Sequence, residues 1–314
     1  MALKITTGQQ AAAVRVVIYG IEGIGKTTLA AQFPRALIID TEDGSKRIDC
    51  SRHAVKTWDA LKLAIAGLVV DPQGFETVVI DSADWAEKLL IESILKESGK
   101  KSIEDFGFGK GYVRLAESVS EFLRTADKLV ASGINVVFCA HSTVKRTSPP
   151  DQTDGYDRYE LKLTKQVAPL FKEWCDLLLF CNYKTRLVEG ADGRLKAQGG
   201  KVRIMHSSRS AAWDAKNRYG LPEEMPMDFA QLEPMLSTRP AASTPSKVST
   251  QARASIEKAD DVAGLEQIRS KIDARLIKGD LSPAEAFDLL ETIETKRSHL
   301  EAESLATPEV FRGY

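Results

Sequence analysis

The segment Gly20-Ile21-Glu22-Gly23-Ile24-Gly25-Lys26-Thr27 links a short apolar strand to a helix start, and that junction constrains everything around it. Ahead of it runs Val14-Arg15-Val16-Val17-Ile18-Tyr19, a β-branched stretch suited to a buried strand. Behind it runs Thr28-Leu29-Ala30-Ala31-Gln32-Phe33, a helical start that Pro34 stops. Glycines at these spacings let successive backbone N–H groups curl around phosphate oxygens, and a helix N-terminus adds partial positive charge. Gly20 to Thr28 are therefore expected to cradle the phosphates of ATP. Lys26 would reach the β- and γ-phosphates, and Thr27 would hold Mg²⁺. The alternative is a glycine-rich turn without a ligand.

Composition limits the rest. With 314 residues, the chain has room for one large α/β domain and a smaller appendage. Its 43 basic and 44 acidic residues create no global field toward nucleic acid or a membrane, so any DNA contact must come from local basic segments. The apolar runs are too short to span a bilayer, and the lead-in to the first strand does not read as a signal peptide. Cys50, Cys139, Cys175 and Cys181 are scattered without a CxxC pair, which suits reduced thiols. A cytoplasmic protein without a membrane partner is expected.

Apolar runs at Ala36–Asp40, Thr77–Asp81, Ile134–Ala140 and Asp176–Cys181 follow the first strand. They alternate with helical patterns that include 58–68 and 112–132, which predicts an α/β fold with a mostly parallel central sheet. Tyr183–Val188 and Lys201–His206 read as antiparallel strands around a Gly/Asp turn. The expected organisation is a lead-in over 1–13, an ATPase core over 14–236, a Pro/Ser/Thr linker over 237–250, a helical hairpin over 251–305 and a tail over 306–314. The hairpin reads as helices 250–277 and 282–304, broken at Gly279-Asp280, with Ser282-Pro283-Ala284-Glu285 as an N-cap signature. Residues 251–314 hold 9 Lys/Arg against 13 Asp/Glu, which argues against this segment as the main DNA contact.

Three strand ends supply candidate chemistry. Asp81 closes a buried strand and is the expected second Mg²⁺-side group; otherwise it caps the next helix. Glu42, just past Asp40-Thr41, is placed to polarise an attacking water; otherwise it is a solvated loop acid. His141 ends the fourth main run, where a polar side chain could contact the γ-phosphate; otherwise it is a core histidine.

Taken with the phosphate loop, Ile39-Asp40-Thr41-Glu42, Val79-Ile80-Asp81-Ser82, the strand to His141 and Lys216-Asn217-Arg218-Tyr219-Gly220-Leu221-Pro222, the stretch from Val14 to Phe229 resembles the RecA-type recombinase core. That resemblance implies a RecA-like P-loop NTPase fold, to which the C-terminal helical hairpin, not RecA-like, is an addition. It implies Glu42 as catalytic base, His141 as γ-phosphate sensor (RecA proper has Gln there) and Lys216 and Arg218 acting on a neighbouring subunit's nucleotide. More narrowly, the chain resembles compact phage-encoded nucleotide-binding proteins that promote single-strand annealing or recombination. A homo-oligomer on single-stranded DNA, hydrolysing ATP slowly with Mg²⁺ in a bacterial host cytoplasm, is the implied activity. A single-strand DNA-binding protein is a further implied partner. Filament formation is not carried over, because only about a dozen residues precede the first strand.

Two segments stand where such proteins place DNA-facing loops. The first runs from Ser98 to Tyr112 and offers Lys100, Lys101, Phe108 and Lys110 for phosphate contact and base stacking. The second follows His141 through Tyr159 and offers Lys145, Arg146 and Arg158. A small-molecule P-loop kinase and a nucleotide-gated adaptor in a replication or packaging machine remain the alternatives.

Overall fold

Side-chain alternation along the apolar runs sorts residues to two faces of a single sheet. The computed structural model describes residues 12–148, 154–189, 195–236, 247–278, 280–281, 289–290, 292–298 and 300. Its central strands are β1 (Arg15–Gly20), β2 (Ala36–Asp40), β3 (Ser51–Ala54), β4 (Thr77–Asp81), β5 (Asn135–Thr147) and β7 (Leu177–Glu189), with β6 (Tyr156–Leu161) hydrogen-bonded to β5. β8 (Leu195–His206), β9 (Lys216–Asn217) and β10 (Glu224–Pro226) complete the sheet, whose main order is β10-β8-β7-β1-β5-β4-β2-β3. Pairing along β3-β2-β4-β5-β1-β7 is parallel, whereas β6, β8, β9 and β10 join antiparallel.

Val17, Tyr19, Val78, Ile80, Val136, Phe138, Leu178 and Phe180 face one core, shared with α2 (Trp58–Val70), α3 (Ala83–Ser98), α4 (Lys110–Ala131) and α5 (Ala168–Trp174). Their neighbours Val16, Ile18, Val79, Val137, Cys139, Leu177, Leu179 and Cys181 face the other, under α1 (Lys26–Ala30) and α6 (Glu233–Leu236). A strand covered on both sides must be apolar at every position, which is why these runs show no polar alternation.

Two strands depart from expectation at their ends. The fourth predicted run does not stop at Ala140: β5 continues to Thr147, its burial fading after Ala140, and pairs with β6 from Ser142↔Leu161 to Thr147↔Tyr156. The predicted DNA loop after His141 is thus a two-stranded ribbon. Likewise β7 runs through the predicted separate strand 183–188 and pairs with β8 from Phe180↔His206 to Glu189↔Leu195. β3 escaped the sequence pattern because all four of its residues are exposed on an edge.

Asp214 ties the ribbon to the core. Its carboxylate takes Arg158 at 2.6 Å, Lys172 at 2.5 Å and Arg209 at 3.5 Å, while the Tyr19 hydroxyl donates to its carbonyl at 2.6 Å. Arg158 is therefore a correction to the DNA-contact set: it is buried, and an anion inside the protein already neutralises it. Burial raises the Asp214 carboxyl, but the Lys172 bond and the surrounding cations outweigh it and hold it below its ordinary 3.8.

Residues 240–314 form a second compact unit, separate from Met1–Arg239. Its first predicted helix is two: α7 (Lys247–Glu257) and α8 (Val262–Lys278). The break was missed because Asp261 accepts the Gly264 N–H at 2.7 Å and so starts α8 as an N-cap. α7 also begins inside the segment predicted as linker. Arg269–Glu294 at 2.8 Å and Arg297–Glu266 at 3.2 Å join α8 to the helical residues 292–298, around Ile256, Leu265, Ile272, Leu289 and Ile293. The predicted cap at Ser282–Glu285 lies outside the described residues, as do the lead-in 1–11 and the tail.

Removing the Asp214 carboxylate strands Arg158. Asp214→Ala should lower stability by about 3 kcal/mol at neutral pH, the scale for breaking one side of a buried ion pair. A carboxyl held low contributes fully above its unfolded value and loses that contribution as pH falls through the folded one. In urea unfolding, the gap to wild type should hold above pH 3.8 and narrow below it. A gap independent of pH would contradict the ion-pair account.

Candidate nucleotide-binding site

β1 delivers the phosphate loop between its two parallel neighbours, with Gly20 level with His141 of β5 and Cys181 of β7. A Cβ on Gly20 would lie 2.1 Å from the Cys181 carbonyl oxygen, so only glycine fits. Gly25 has φ 106°, a left-handed backbone that glycine adopts without strain, and it turns the chain into α1. Lys26 is buried, and its Nζ donates to the carbonyls of Gly20 at 3.2 Å and Ile21 at 3.0 Å. The expected helix to Phe33 is shorter than predicted: α1 ends at Ala30 and turns through Ala31–Phe33. A helix of five residues has little macrodipole, so the loop N–H groups and Lys26 must supply most of the positive charge.

Thr27 Oγ1 donates to Asp81 Oδ2 at 2.7 Å, which brings both candidate metal residues together. They offer a hydroxyl and a carboxylate, hard oxygens of the kind Mg²⁺ takes, and Mg²⁺ needs only one or two protein ligands beside phosphates and water. The pair fits that ion, which when bound would neutralise phosphate charge. Burial raises the Asp81 carboxyl, while the Thr27 bond acts against it.

Asp40, at the end of β2, shapes the following loop. Its Oδ1 accepts the N–H groups of Glu42 at 3.1 Å, Asp43 at 2.7 Å and Gly44 at 3.3 Å, and its Oδ2 accepts Ser45 N–H at 2.9 Å and Oγ at 2.5 Å. Burial raises this carboxyl, yet the Ser45 bonds and the other N–H groups hold it low. An ionised Asp40 therefore fixes the backbone that carries Glu42. The Glu42 carboxyl is itself raised, first by burial and then by the charge of Asp81, with Asp84 adding to it and His141 and Lys26 opposing. Those influences put Glu42, Asp81, Asp84, His141 and Lys26 in one electrostatic neighbourhood.

Asp84 holds His141. Its backbone N–H donates to Asp84 Oδ1 at 3.0 Å, and its Nδ1 lies 2.9 Å from Asp84 Oδ2. Asp84 is buried, and although burial raises its carboxyl, the His141 bonds outweigh that and lower it. Thr41 Oγ1 bonds the Asp81 and Ser82 carbonyls at 3.0 and 3.2 Å and so ties the β2 loop to the end of β4. Lys162, whose N–H donates to the His141 carbonyl at 2.9 Å, extends its Nζ to within 3.4 Å of Glu22 in the loop.

The other predicted residues lie elsewhere. Lys216 donates to the carbonyls of Lys172 and Glu173 at 3.1 and 2.9 Å, and Arg218 pairs with Asp176 at 2.7 Å, which also grips Arg15. β9 pairs with the start of β7, at the Arg15 end of β1 and not at its Gly20 end. These cations are thus held by partners in their own chain, away from their own loop. Lys145 and Arg146 face Glu160 at 3.6 Å and Asp157 at 4.0 Å across the β5–β6 ribbon. Lys100 is bound to the Asp105 carbonyl at 2.9 Å, whereas Lys101 and Lys110 are exposed. Phe108 is fully exposed at φ 49° between Gly107 and Gly109, both also at positive φ.

The model of the AAA domain family matches residues 12–219, well over half of the chain. The chain belongs to the AAA domain family. No curated protein matches it. Among solved structures it is similar to the flagellar accessory protein FlaH from Methanocaldococcus jannaschii, at 10% identity and a TM-score of 0.33, over 68% of this chain and 84% of that one. No helix among the described residues is long and apolar enough to cross a membrane.

The AAA domain is thus a P-loop ATPase domain in which Lys26, Glu42, Asp81, Asp84 and His141 gather in one electrostatic neighbourhood. Sequence reading missed Asp84, although an acid three residues past Asp81 in the first turn of α3 was visible. It also missed Arg203, whose Nη1 donates to the Ile24 carbonyl at 3.2 Å. No local pattern could announce a contact between residues 179 apart. If Glu42 accepts the proton of attacking water, Glu42→Gln should bind ATP near normally and hydrolyse it at least ~100-fold more slowly, the usual scale for a lost general base. Single-turnover rates near wild type would return Glu42 to the role of a loop acid.

Proposed function

We propose that this AAA domain is a RecA-type ATPase that binds single-stranded DNA as an oligomer and promotes annealing or recombination. Slow Mg²⁺-dependent hydrolysis times the release of the strand. The carrying observation is the continuity of β5. One strand runs from the buried Asn135, past His141 in the catalytic neighbourhood, to Lys145 and Arg146 on the projecting ribbon. A hydrogen-bonded strand is stiff, so a shift at His141 as the γ-phosphate leaves would be felt along the ribbon.

Glu87 reinforces that coupling. It accepts the Thr164 hydroxyl at 2.7 Å and the Thr164 N–H at 3.1 Å, which anchors the segment leaving β6 to the same helix that carries Asp84. Phe108, displayed by its glycine-flanked turn beside Lys110, provides a stacking face for bases. The phage source, the oligomer and a single-strand DNA-binding protein partner rest on the recombinase resemblance and belong to the same proposal.

The test compares ATP hydrolysis alone, with single-stranded DNA and with duplex. Single strands should stimulate severalfold at low salt and lose effect as salt rises, because phosphate contacts release counterions. Lys145→Ala with Arg146→Ala should abolish the stimulation and leave basal turnover intact, while Lys26→Ala should abolish turnover in a folded protein. Equal rates with and without DNA would overturn the proposal, and γ-phosphate transfer to a nucleoside or sugar would make the protein a kinase.

A further inference from the structure

The β7–β8 ribbon brings a second cation to the phosphate loop from within the same chain. Cys181, level with Gly20, pairs with Met205, and two residues further along β7, Tyr183 pairs with Arg203. Residues 203 and 205 share a face of β8, and Met205 packs in the core beneath α1, so Arg203 falls on the α1 side just past the strand end. Its guanidinium rests on the loop: Nη1 lies 3.2 Å from the Ile24 carbonyl and 2.7 Å from where a Cβ on Gly25 would sit. Gly25 is favoured for its left-handed backbone, and its missing Cβ leaves the space in which this guanidinium rests. The Arg203 carbonyl is fixed by the Met227 N–H at 3.1 Å, and β10 pairs with the adjacent Ile204.

We infer that Arg203 binds the nucleotide in cis, at the phosphate next to the nucleoside. This rests on reading the loop as a triphosphate site. Sheet order sets the direction in which a triphosphate must lie. Glu42 and Asp81 stand at the ends of β2 and β4, and His141 lies on β5 level with Gly20, all on one side of β1, and hydrolysis requires the γ-phosphate there. β7 and β8 lie on the other side, so the α-phosphate and nucleoside end faces Arg203. Lys26 and Arg203 both donate to loop carbonyls, and an anionic phosphate oxygen is a stronger acceptor than a neutral carbonyl. Arg203 thus acts on binding rather than on the bond that breaks, which makes it a positioning residue.

The experiment measures ATP and ADP affinity by calorimetry, and kcat and KM for ATP, in wild type, Arg203→Ala and Arg203→Lys. Arg203→Ala should weaken ATP and ADP by the same factor, about tenfold, and raise KM with kcat unchanged, as expected for uniform binding. Arg203→Lys should recover part of the affinity. Equal mixtures of Arg203→Ala and Lys26→Ala, at ATP below the wild-type KM, should show no more activity than the two separately, because both cations must sit on one chain. Unchanged affinity, a loss confined to ATP with a fall in kcat, or recovery in the mixture would each overturn the inference. Failure of the wild type to bind either nucleotide would instead remove the triphosphate reading beneath it.

Discussion

The hydrogen bond from Thr27 to Asp81 spans the top of the strand between them, since β1 and β4 both pair with β5. It can form only if β1 and β4 keep their register on β5, with Gly20 level with His141 and Asp81 level with Cys139, and that register follows from burying both faces of β1, β4 and β5. Packing of Val17, Val78 and Val136 on one face and Val16, Val79 and Val137 on the other sets the positions of the polar groups at the strand ends. A slip of one residue would exchange the two faces and separate the pair. The site is therefore a consequence of the core, and its charged groups sit where the strands run out of apolar residues.

Around that bond, each anion has a different assignment set by its surroundings. Asp40 is satisfied by backbone N–H groups and a hydroxyl, and Asp84 by His141, so both remain ionised and structural. Glu42 and Asp81 share burial without enough donors, and their carboxyls rise. A divalent cation and a triphosphate are what such an arrangement suits, because Mg²⁺ and Lys26 would balance charges that the protein alone leaves crowded. The two ribbons that extend β5 and β7 flank the loop, one carrying the proposed DNA contacts and the other Arg203.

Much of this was legible in the sequence, for a physical reason. Strands buried on both faces read as uninterrupted apolar runs, and the glycine spacing of the loop reflects backbone angles and close approaches that other residues do not tolerate. Glu42, Asp81 and His141 could be found because strand ends adjoin those runs. What could not be read was decided by distant partners. Arg158 looked like a free basic residue until Asp214, 56 positions away, buried its charge. Nor could the sequence show that Lys216 bonds the Lys172 and Glu173 carbonyls and Arg218 pairs with Asp176 within the same chain. The extension of β5 and β7 into ribbons was hidden by polar residues that a half-exposed strand tolerates. The break before α8 rested on one cap, Asp261, inside an otherwise helical pattern.

Thr27 in the phosphate loop and Asp81 at the end of β4 together suit one Mg²⁺-dependent hydrolytic site. Phosphate release titrated against Mg²⁺ at saturating ATP, in wild type and in Asp81→Asn, tests it most directly. Wild-type turnover should saturate with Mg²⁺, and Asp81→Asn should still bind ATP but need far more Mg²⁺ and turn over more slowly. A folded Asp81→Asn protein with an unchanged Mg²⁺ dependence and rate would contradict it.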